Sequence, residues 1–160
     1  MTWLGSDEAR ASDYLGPGAA SLFTAVLASR IGAGRRVLVP ANLDVPHSFT
    51  YTGDVGALLA VLGTDPRAWG RAWHVPTPPP LSIRELAHRY AALAGAPAPR
   101  LSAASPGALW LAGIFDAEAR EFAKVRYQFD SPWVLDSSAA QQTFGLAPTS
   151  VDDALRSMLA

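Results

Sequence analysis

An α/β or α+β fold is predicted by three features of the chain. Short β-forming runs alternate with stretches whose apolar residues recur at helical spacing. Most of these runs stop at a glycine or proline. No segment repeats at a fixed period, which removes solenoids and propellers. The 160 residues are 49% hydrophobic and only 17% charged, a balance that builds a core and excludes disorder as the default state. Residues 1–160 read as one domain.

The first strand falls around Ala9-Arg10-Ala11, with Thr2-Trp3-Leu4 before it, and ends at the turn Leu15-Gly16-Pro17-Gly18. Ala19 to Ile31 reads as a helix because Leu22, Phe23, Val26, Leu27 and Ile31 form one apolar stripe. Gly32-Ala33-Gly34 stops it, and Arg36 to Pro40 is a short strand. Ala41 to Pro46 is a loop by its Asn42, Asp44 and Pro46. Ser48-Phe49-Thr50-Tyr51-Thr52 alternates polar with aromatic, which predicts a strand buried on one face. Asp54 is placed to cap a helix over Val55 to Leu62. Thr64-Asp65-Pro66 is a turn, and Ala72-Trp73-His74-Val75 a strand stopped by Pro78-Pro79-Pro80.

Ser82-Ile83-Arg84-Glu85 is a capping box, with Leu81 and Leu86 spaced for a hydrophobic staple. The helix it opens runs to about Ala94, where Gly95 and Pro97 supply the stop. Leu101 sits in an extended piece. Ser105-Pro106 opens a helix that extends to Val125, with Leu109, Leu111, Ile114, Phe115, Phe122 and Val125 facing a core or cleft. Ser137 or Ser138 caps a short helix ending at Gly145, and Ser150 caps the last, Val151 to Leu159.

Charge and composition exclude whole classes of function. Thirteen basic against fourteen acidic residues give a formal charge of −1, and no basic run exceeds Arg35-Arg36, so nucleic acid is not an expected partner. No apolar run reaches the ~20 residues of a membrane span, and Met1 to Arg10 lacks the basic and apolar regions of a secretory signal. The expectation is a cytoplasmic protein with no membrane partner. Arginine greatly outnumbers lysine, Lys124 being alone of its kind, a skew of GC-rich bacterial genomes. Without cysteine there is no disulfide, thiolate metal site or Cys nucleophile. The three histidines are too scattered for a structural zinc site. A phosphate loop of the Walker type is impossible, because Ala123 precedes the one lysine. No G-x-S-x-G is present either.

Among the candidates for chemistry, His74 reads as a satisfied structural group and His88 as a solvated one. His47, in a loop just before a strand, is the histidine with a chance of facing a ligand. Asp13, Asp44 and Asp54 lie near predicted strand ends, where α/β sheets place ligands, although helix capping is the stronger reading of Asp54. Trp110, Phe115, Phe122, Tyr127, Phe129 and Trp133 form a dense aromatic set, suited to a core or to the wall of an apolar cleft.

Two segments resemble a known family. Arg10 to Gly18 resembles the R-x-x-x-x-Y-G-P-G stretch of extended short-chain dehydrogenases/reductases, the NAD-dependent epimerase/dehydratase group. Pro46 to Val55 resembles that family's [RH]-x-F-x-[YH]-V-x-D-V-A segment. The strand at Trp73, the capped helix at Ser82 and the tail from Asp136 to Leu159 also fit. The resemblance covers nearly the whole chain and corresponds to the family's C-terminal, substrate-binding half. It implies a truncated fold lacking the N-terminal Rossmann half, which carries the G-x-x-G-x-x-G loop and the Y-x-x-x-K pair. Neither motif occurs here, so no cofactor is expected and family redox catalysis is not expected of this chain alone.

Carried over position by position, Tyr14, Gly16, Pro17 and Gly18 match the segment that borders nicotinamide and substrate. His47 and Phe49 match a substrate-contacting segment. His47 stands in place of a common arginine, which disfavours a nucleotide-sugar substrate. Asp54 matches a structural cap. Three readings stay open. The first is a small-molecule enzyme of redox-independent isomerisation, cyclisation or elimination, with proton transfer by His47, Asp13, Tyr14 or Tyr51. Gly16, Pro17, Phe49, Trp110, Phe115, Tyr127 and Trp133 would then line the substrate cleft. The second is a fragment or split subunit of an NAD(P)-dependent epimerase or reductase. The third is a ligand-binding module without catalysis. No metal is expected, and open strand edges with an apolar face point to a homodimer.

Overall fold

The computed structural model describes residues 7–105, 107, 114, 116, 120–121, 124 and 126–159. In chain order the elements are β1 (Glu8–Arg10), β2 (Asp13–Leu15), a π-helical turn (Phe23–Leu27) continuing into α1 (Ala28–Gly32), β3 (Arg36–Val39), β4 (Phe49–Tyr51) and α2 (Thr52–Leu62). There follow a 3-10 turn (Pro66–Ala68), β5 (Ala72–His74), α3 (Ile83–Leu93), β6 (Arg100–Ala103), α4 (Tyr127–Asp130), α5 (Ser138–Phe144) and α6 (Val151–Ser157). Among the described residues the strands form three parallel pairs, β1 with β5, β2 with β4 and β3 with β6. Parallel pairing joined through helices makes the fold α/β. No described helix is long and apolar enough to cross a membrane.

The chain forms two compact units. The first comprises Met1–Thr24, Ser48–Pro80 and Leu135–Ala160. Its core gathers Leu58 and Leu62 of α2, Trp73 of β5, Ala68, Val75 and Ala140. Trp73 packs against Phe144 with ring centroids 4.6 Å apart, and its indole N–H donates to the Ala68 carbonyl at 2.8 Å, so the buried ring leaves no polar atom unserved. β4 departs from the one-faced burial that its alternation predicts. Phe49 and Thr50 are both buried, because a parallel strand is covered on both sides.

Two caps also differ from expectation. α2 begins at Thr52, ahead of Asp54, and lacks a side-chain cap. Asp54 instead accepts hydrogen bonds from the backbone N–H and the hydroxyl of Thr149, at 2.8 and 2.7 Å, tying the segment before α6 to the first turn of α2. At α5 the Ser137 side chain makes no cap. Its hydroxyl oxygen accepts from Thr77 N–H and Gln141 Nε2, and Asp136 takes over the cap by accepting from Ser138 N–H at 2.9 Å.

The second unit comprises Ala25–His47 and Leu81–Val134. Here α1 packs on β3 and on α3, burying Ile31, Val37, Val39, Ile83, Leu86 and Tyr90. The capping box at Ser82 forms in both directions: Ser82 Oγ accepts from Glu85 N–H, and Glu85 accepts from Ser82 N–H. Leu81 and Leu86 are both buried, as a staple requires. The helix expected over Ala19 to Ile31 starts later. Ser21 Oγ accepts from Thr24 N–H at 3.2 Å, a local cap that leaves Ala19 and Ala20 outside the helix. Most of the helix expected over Ser105 to Val125 lies outside the described residues.

Candidate functional site

The second unit holds a cleft of about 460 Å³ at the C-terminal ends of β3 and β6. Its floor is the chain leaving the two strands, Ala41 to Asp44 after β3 and Leu101 to Ala103 of β6; its walls are Arg84, Arg126 and Asp130. Strand ends suit ligands because the two chains part there and free backbone groups face the gap. The loop is stiffened locally: Asn42 Oδ1 accepts from Asp44 N–H at 2.9 Å, and the Asn42 N–H donates to the Phe129 carbonyl at 3.1 Å.

Charge dominates the walls. Arg84 sits in the first turn of α3 and makes a two-point contact with Asp44, Nε–Oδ1 2.6 Å and Nη2–Oδ2 3.0 Å. The hydrogen bonds from Arg84 hold the Asp44 carboxyl below its ordinary value, and Asp44 raises Arg84 in turn. An aspartate so held is a poor general base. Arg126 is the more buried arginine. Its Nε lies 2.9 Å from Asp130 Oδ2 but is not aimed at it in hydrogen-bond geometry. A largely buried guanidinium whose donors are incompletely used is suited to an anionic group entering the cleft.

The first unit contains a chain of buried hydroxyls. The Ser12 hydroxyl donates to the Ser48 carbonyl at 2.8 Å, and Ser12 N–H donates to Thr50 Oγ1 at 3.1 Å. Thr50 and Thr77 meet hydroxyl to hydroxyl at 2.9 Å. Thr77 spends its proton on the Val75 carbonyl, so Thr50 is the donor to Thr77. Thr77 N–H continues to Ser137 Oγ. Every link is an internal bond, and the set locks β2, β4 and the segment after β5 together.

The residues singled out from sequence divide between the units. Asp13, Tyr14, Gly16, Pro17, Phe49 and Tyr51 belong to the first. Register sets Asp13 beside Phe49, Tyr14 beside Thr50 and Leu15 beside Tyr51. Tyr14 is 43% exposed. The Tyr51 ring lies over Gly16 and Gly53, and a side chain at either position would collide with it. His47, Tyr127 and Trp133 belong to the second unit. His47 is 2% exposed and stacks on Phe129, centroids 5.3 Å apart and planes 9° from parallel. Its backbone bridges to Leu81 and Trp133. Tyr127 and Trp133 are exposed, while Trp110 and Phe115 lie outside the described residues. His74 is satisfied, its Nδ1 2.6 Å from the Asp136 carbonyl oxygen, and His88 is exposed. Sequence reasoning flagged Asp44 at a strand end but missed Asn42, Ser102, Arg126 and Asp130, and read Arg84 only as part of a capping box. An Arg–Asp pair four apart at 126 and 130 was the available signal. Among the described residues no cluster of His, Asp and Glu is arranged to hold a metal.

No protein-family model matches the chain, and no curated protein matches its sequence. Solved structures do. An epimerase from Methanothermobacter thermautotrophicus superposes with a TM-score of 0.69 at 14% identity, covering 95% of this chain and 41% of that one. The Bordetella bronchiseptica enzyme WbmG, in complex with NAD and UDP, gives 0.65 at 20% identity, with 94% and 41% covered. RMD from Pseudomonas aeruginosa, complexed with NADPH, gives 0.61 at 21% identity, with 94% and 45% covered. The fold is epimerase/dehydratase-like. This chain spans less than half the length of those it matches. Two of the matched structures hold NAD or NADPH, and the Gly16 turn of this chain does not fit the pyrophosphate of such a dinucleotide. A pyrophosphate cradle needs open space where a glycine follows a strand. At Gly16, which follows β2, that space is occupied by Thr52 and Tyr51 of the same chain.

Proposed function

We propose that this chain binds a small anionic metabolite in the cleft at the ends of β3 and β6, as the substrate-binding part of epimerase/dehydratase-type chemistry. One observation carries the reading: Arg126 is largely buried in the wall of that cleft, ion-paired with Asp130 at 2.9 Å but with an Nε–H that makes no aligned hydrogen bond. Arg84 stands at the same cleft, already engaged by Asp44. In this reading Arg126 takes the anion, Arg84 and Asp44 fix the loop, and the Asn42 and Ser102 segments supply neutral polar contacts. His47, stacked on Phe129, holds the chain entering β4 rather than meeting the ligand.

Titration of the protein with citrate, inorganic phosphate and UDP, followed by amide chemical shifts, tests this. Saturable shifts at Asn42, Asp44 and Ser102, lost in Arg126→Ala, are expected from at least one probe. Shifts elsewhere only, or shifts unchanged by the substitution, overturn it.

A second reading concerns catalysis. Asp13, Tyr14 and Tyr51 lie on the paired strands β2 and β4, and Tyr14 is open to solvent. This favours them, over His47, as proton carriers in an isomerisation, cyclisation or elimination that needs no redox cofactor. Turnover by the chain alone would support that reading; turnover only with a separate nucleotide-binding chain would favour a split NAD(P)-dependent enzyme. The proposal includes a homodimer.

A further inference from the structure

Among the described residues, the charged side chains lining the cleft at the ends of β3 and β6 are Arg84, Asp44, Arg126 and Asp130, and their formal charges cancel. The two pairs they form are not equivalent. Arg84 meets Asp44 at two points, 2.6 and 3.0 Å, so that pair is closed on itself and offers a ligand no net charge. Arg126 is ion-paired with Asp130 at 2.9 Å, yet its Nε–H makes no aligned hydrogen bond. One anionic group can therefore be taken up at Arg126. A second negative charge on the same ligand would find no further cation among the described lining residues and would face both carboxylates.

The backbone keeps Asp130 beside Arg126. Its N–H donates to the Arg126 carbonyl at 3.1 Å, closing the turn that carries both side chains. A bound anion thus shares the guanidinium with a neighbouring carboxylate, and the repulsion between them grows with each charge on the ligand. The rest of the lining is suited to hydroxyls rather than to charge. Asp44 and Asp130 keep lone pairs beyond those their arginines use, and both side chains are open to solvent, 65% and 39% exposed. A hydroxyl that donates to such a carboxylate makes a short, charge-assisted bond. Asn42 Oδ1 is spent on Asp44 N–H, which leaves its side-chain N–H groups to donate, and Ser102 adds a hydroxyl from β6.

We propose that the cleft is specific for a singly charged, polyhydroxylated acid of the aldonate or uronate class, and that Asp130 sets this charge limit. The ligand carboxylate takes the unaligned donor of Arg126, while its hydroxyls donate to Asp44 and Asp130 and accept from Asn42 and Ser102. A neutral polyol lacks the group that Arg126 needs. A short acid such as acetate satisfies Arg126 and leaves the other polar groups of the lining without ligand partners. A multiply charged anion also satisfies Arg126 but is repelled by Asp130 and Asp44. This inference rests on the proposed anion site at Arg126 and adds to it the charge and the hydroxyls of the ligand.

The test is a titration of the purified chain with gluconate, acetate, glucose and citrate at neutral pH and constant ionic strength, followed by amide chemical shifts. Gluconate is expected to shift Asn42, Asp44 and Ser102 saturably, and citrate to shift the same amides with at least about tenfold weaker affinity. Acetate should bind more weakly than gluconate for want of hydroxyl contacts, and glucose should not bind. Asp130→Asn keeps the shape of the side chain and removes its charge, so citrate should tighten by about tenfold and gluconate by clearly less. Asp130→Glu keeps the charge and should keep the original order. Circular dichroism establishes that each variant is folded. If citrate binds the unaltered chain as tightly as gluconate, or Asp130→Asn leaves their ratio unchanged, the charge limit is overturned while the anion site stands. If acetate or glucose matches gluconate, the hydroxylated-acid class is overturned. If no anion shifts these amides, or Arg126→Ala leaves the shifts unchanged, the anion site fails and this inference with it.

Discussion

Thr50 shows what a single side chain contributes. It is fully buried, its hydroxyl accepts from Ser12 N–H and donates to Thr77, and nothing in its sequence context distinguishes it from a surface threonine. Replacing Thr50 with Val keeps the shape but takes the acceptor from the buried Ser12 N–H and the donor from the Thr77 hydroxyl, which still donates to Val75. The expected loss is about 1–3 kcal/mol, read as a lower urea midpoint. No change would mean that water replaces the lost bonds. Gly16 is as sensitive for a different reason. It holds a positive φ of 141°, and a Cβ there would run into Thr52 and Tyr51. Gly16→Ala should therefore destabilise the first unit and broaden the Tyr51 ring signals. A well-folded variant with an unshifted ring would refute the close packing of Tyr51 on this turn.

At the scale of elements, α3 is the best-specified piece of the chain. Its capping box satisfies the Glu85 and Ser82 amides reciprocally, and Gly95 past its end takes the left-handed conformation that stops it. Ser82→Ala should cost about 1 kcal/mol, measured by chemical denaturation; an unchanged midpoint would count against the cap. α2 behaves differently. It begins without a side-chain cap and leaves Leu59 exposed, so its position depends on burying Leu58 and Leu62 and on the Asp54 bonds to Thr149 rather than on signals of its own. The π-helical turn before α1 was not legible at all, because a register change inside a helix comes from packing and local hydroxyl bonds, not from apolar spacing.

For the whole molecule, acid is the stress to which stability should respond. Asp44, Asp65, Asp136, Asp153 and Glu85 all have folded-state pKa values below their ordinary ones, held there by hydrogen bonds from Arg84, Arg67, Ser138, Ser150 and Ser82 respectively. A carboxylate with a depressed folded pKa contributes stability that is complete above its unfolded value and is lost as pH falls through the folded value. The melting temperature should therefore hold steady above about pH 5 and fall below pH 4, each exposed pair adding little. A melting temperature that rises on acidification would contradict the sign. Calorimetric titration with NAD(H) or NADP(H) should give no saturable heat, since the space at Gly16 is filled and the glycine loop has no counterpart in this chain. Sub-micromolar binding would mean that the dinucleotide finds a site built from other residues.

The sequence by itself determined the α/β class, most of the strands and the α3 cap, because each depends on residues within a few positions of one another: alternation, helical spacing and the Ser82–Glu85 box. It also carried enough of Arg10–Gly18 and Pro46–Val55 to indicate an epimerase/dehydratase-like fold. Tertiary structure alone decided the cleft. Asp44 meets Arg84, Arg126 closes the wall, and Arg36 aligns with Arg100 only because β3 and β6 pair in parallel across more than sixty intervening residues. No local pattern encodes that register. It is fixed by burying Val37 and Val39 under α1, and burial dictates at once which charges gather at each end of the strands.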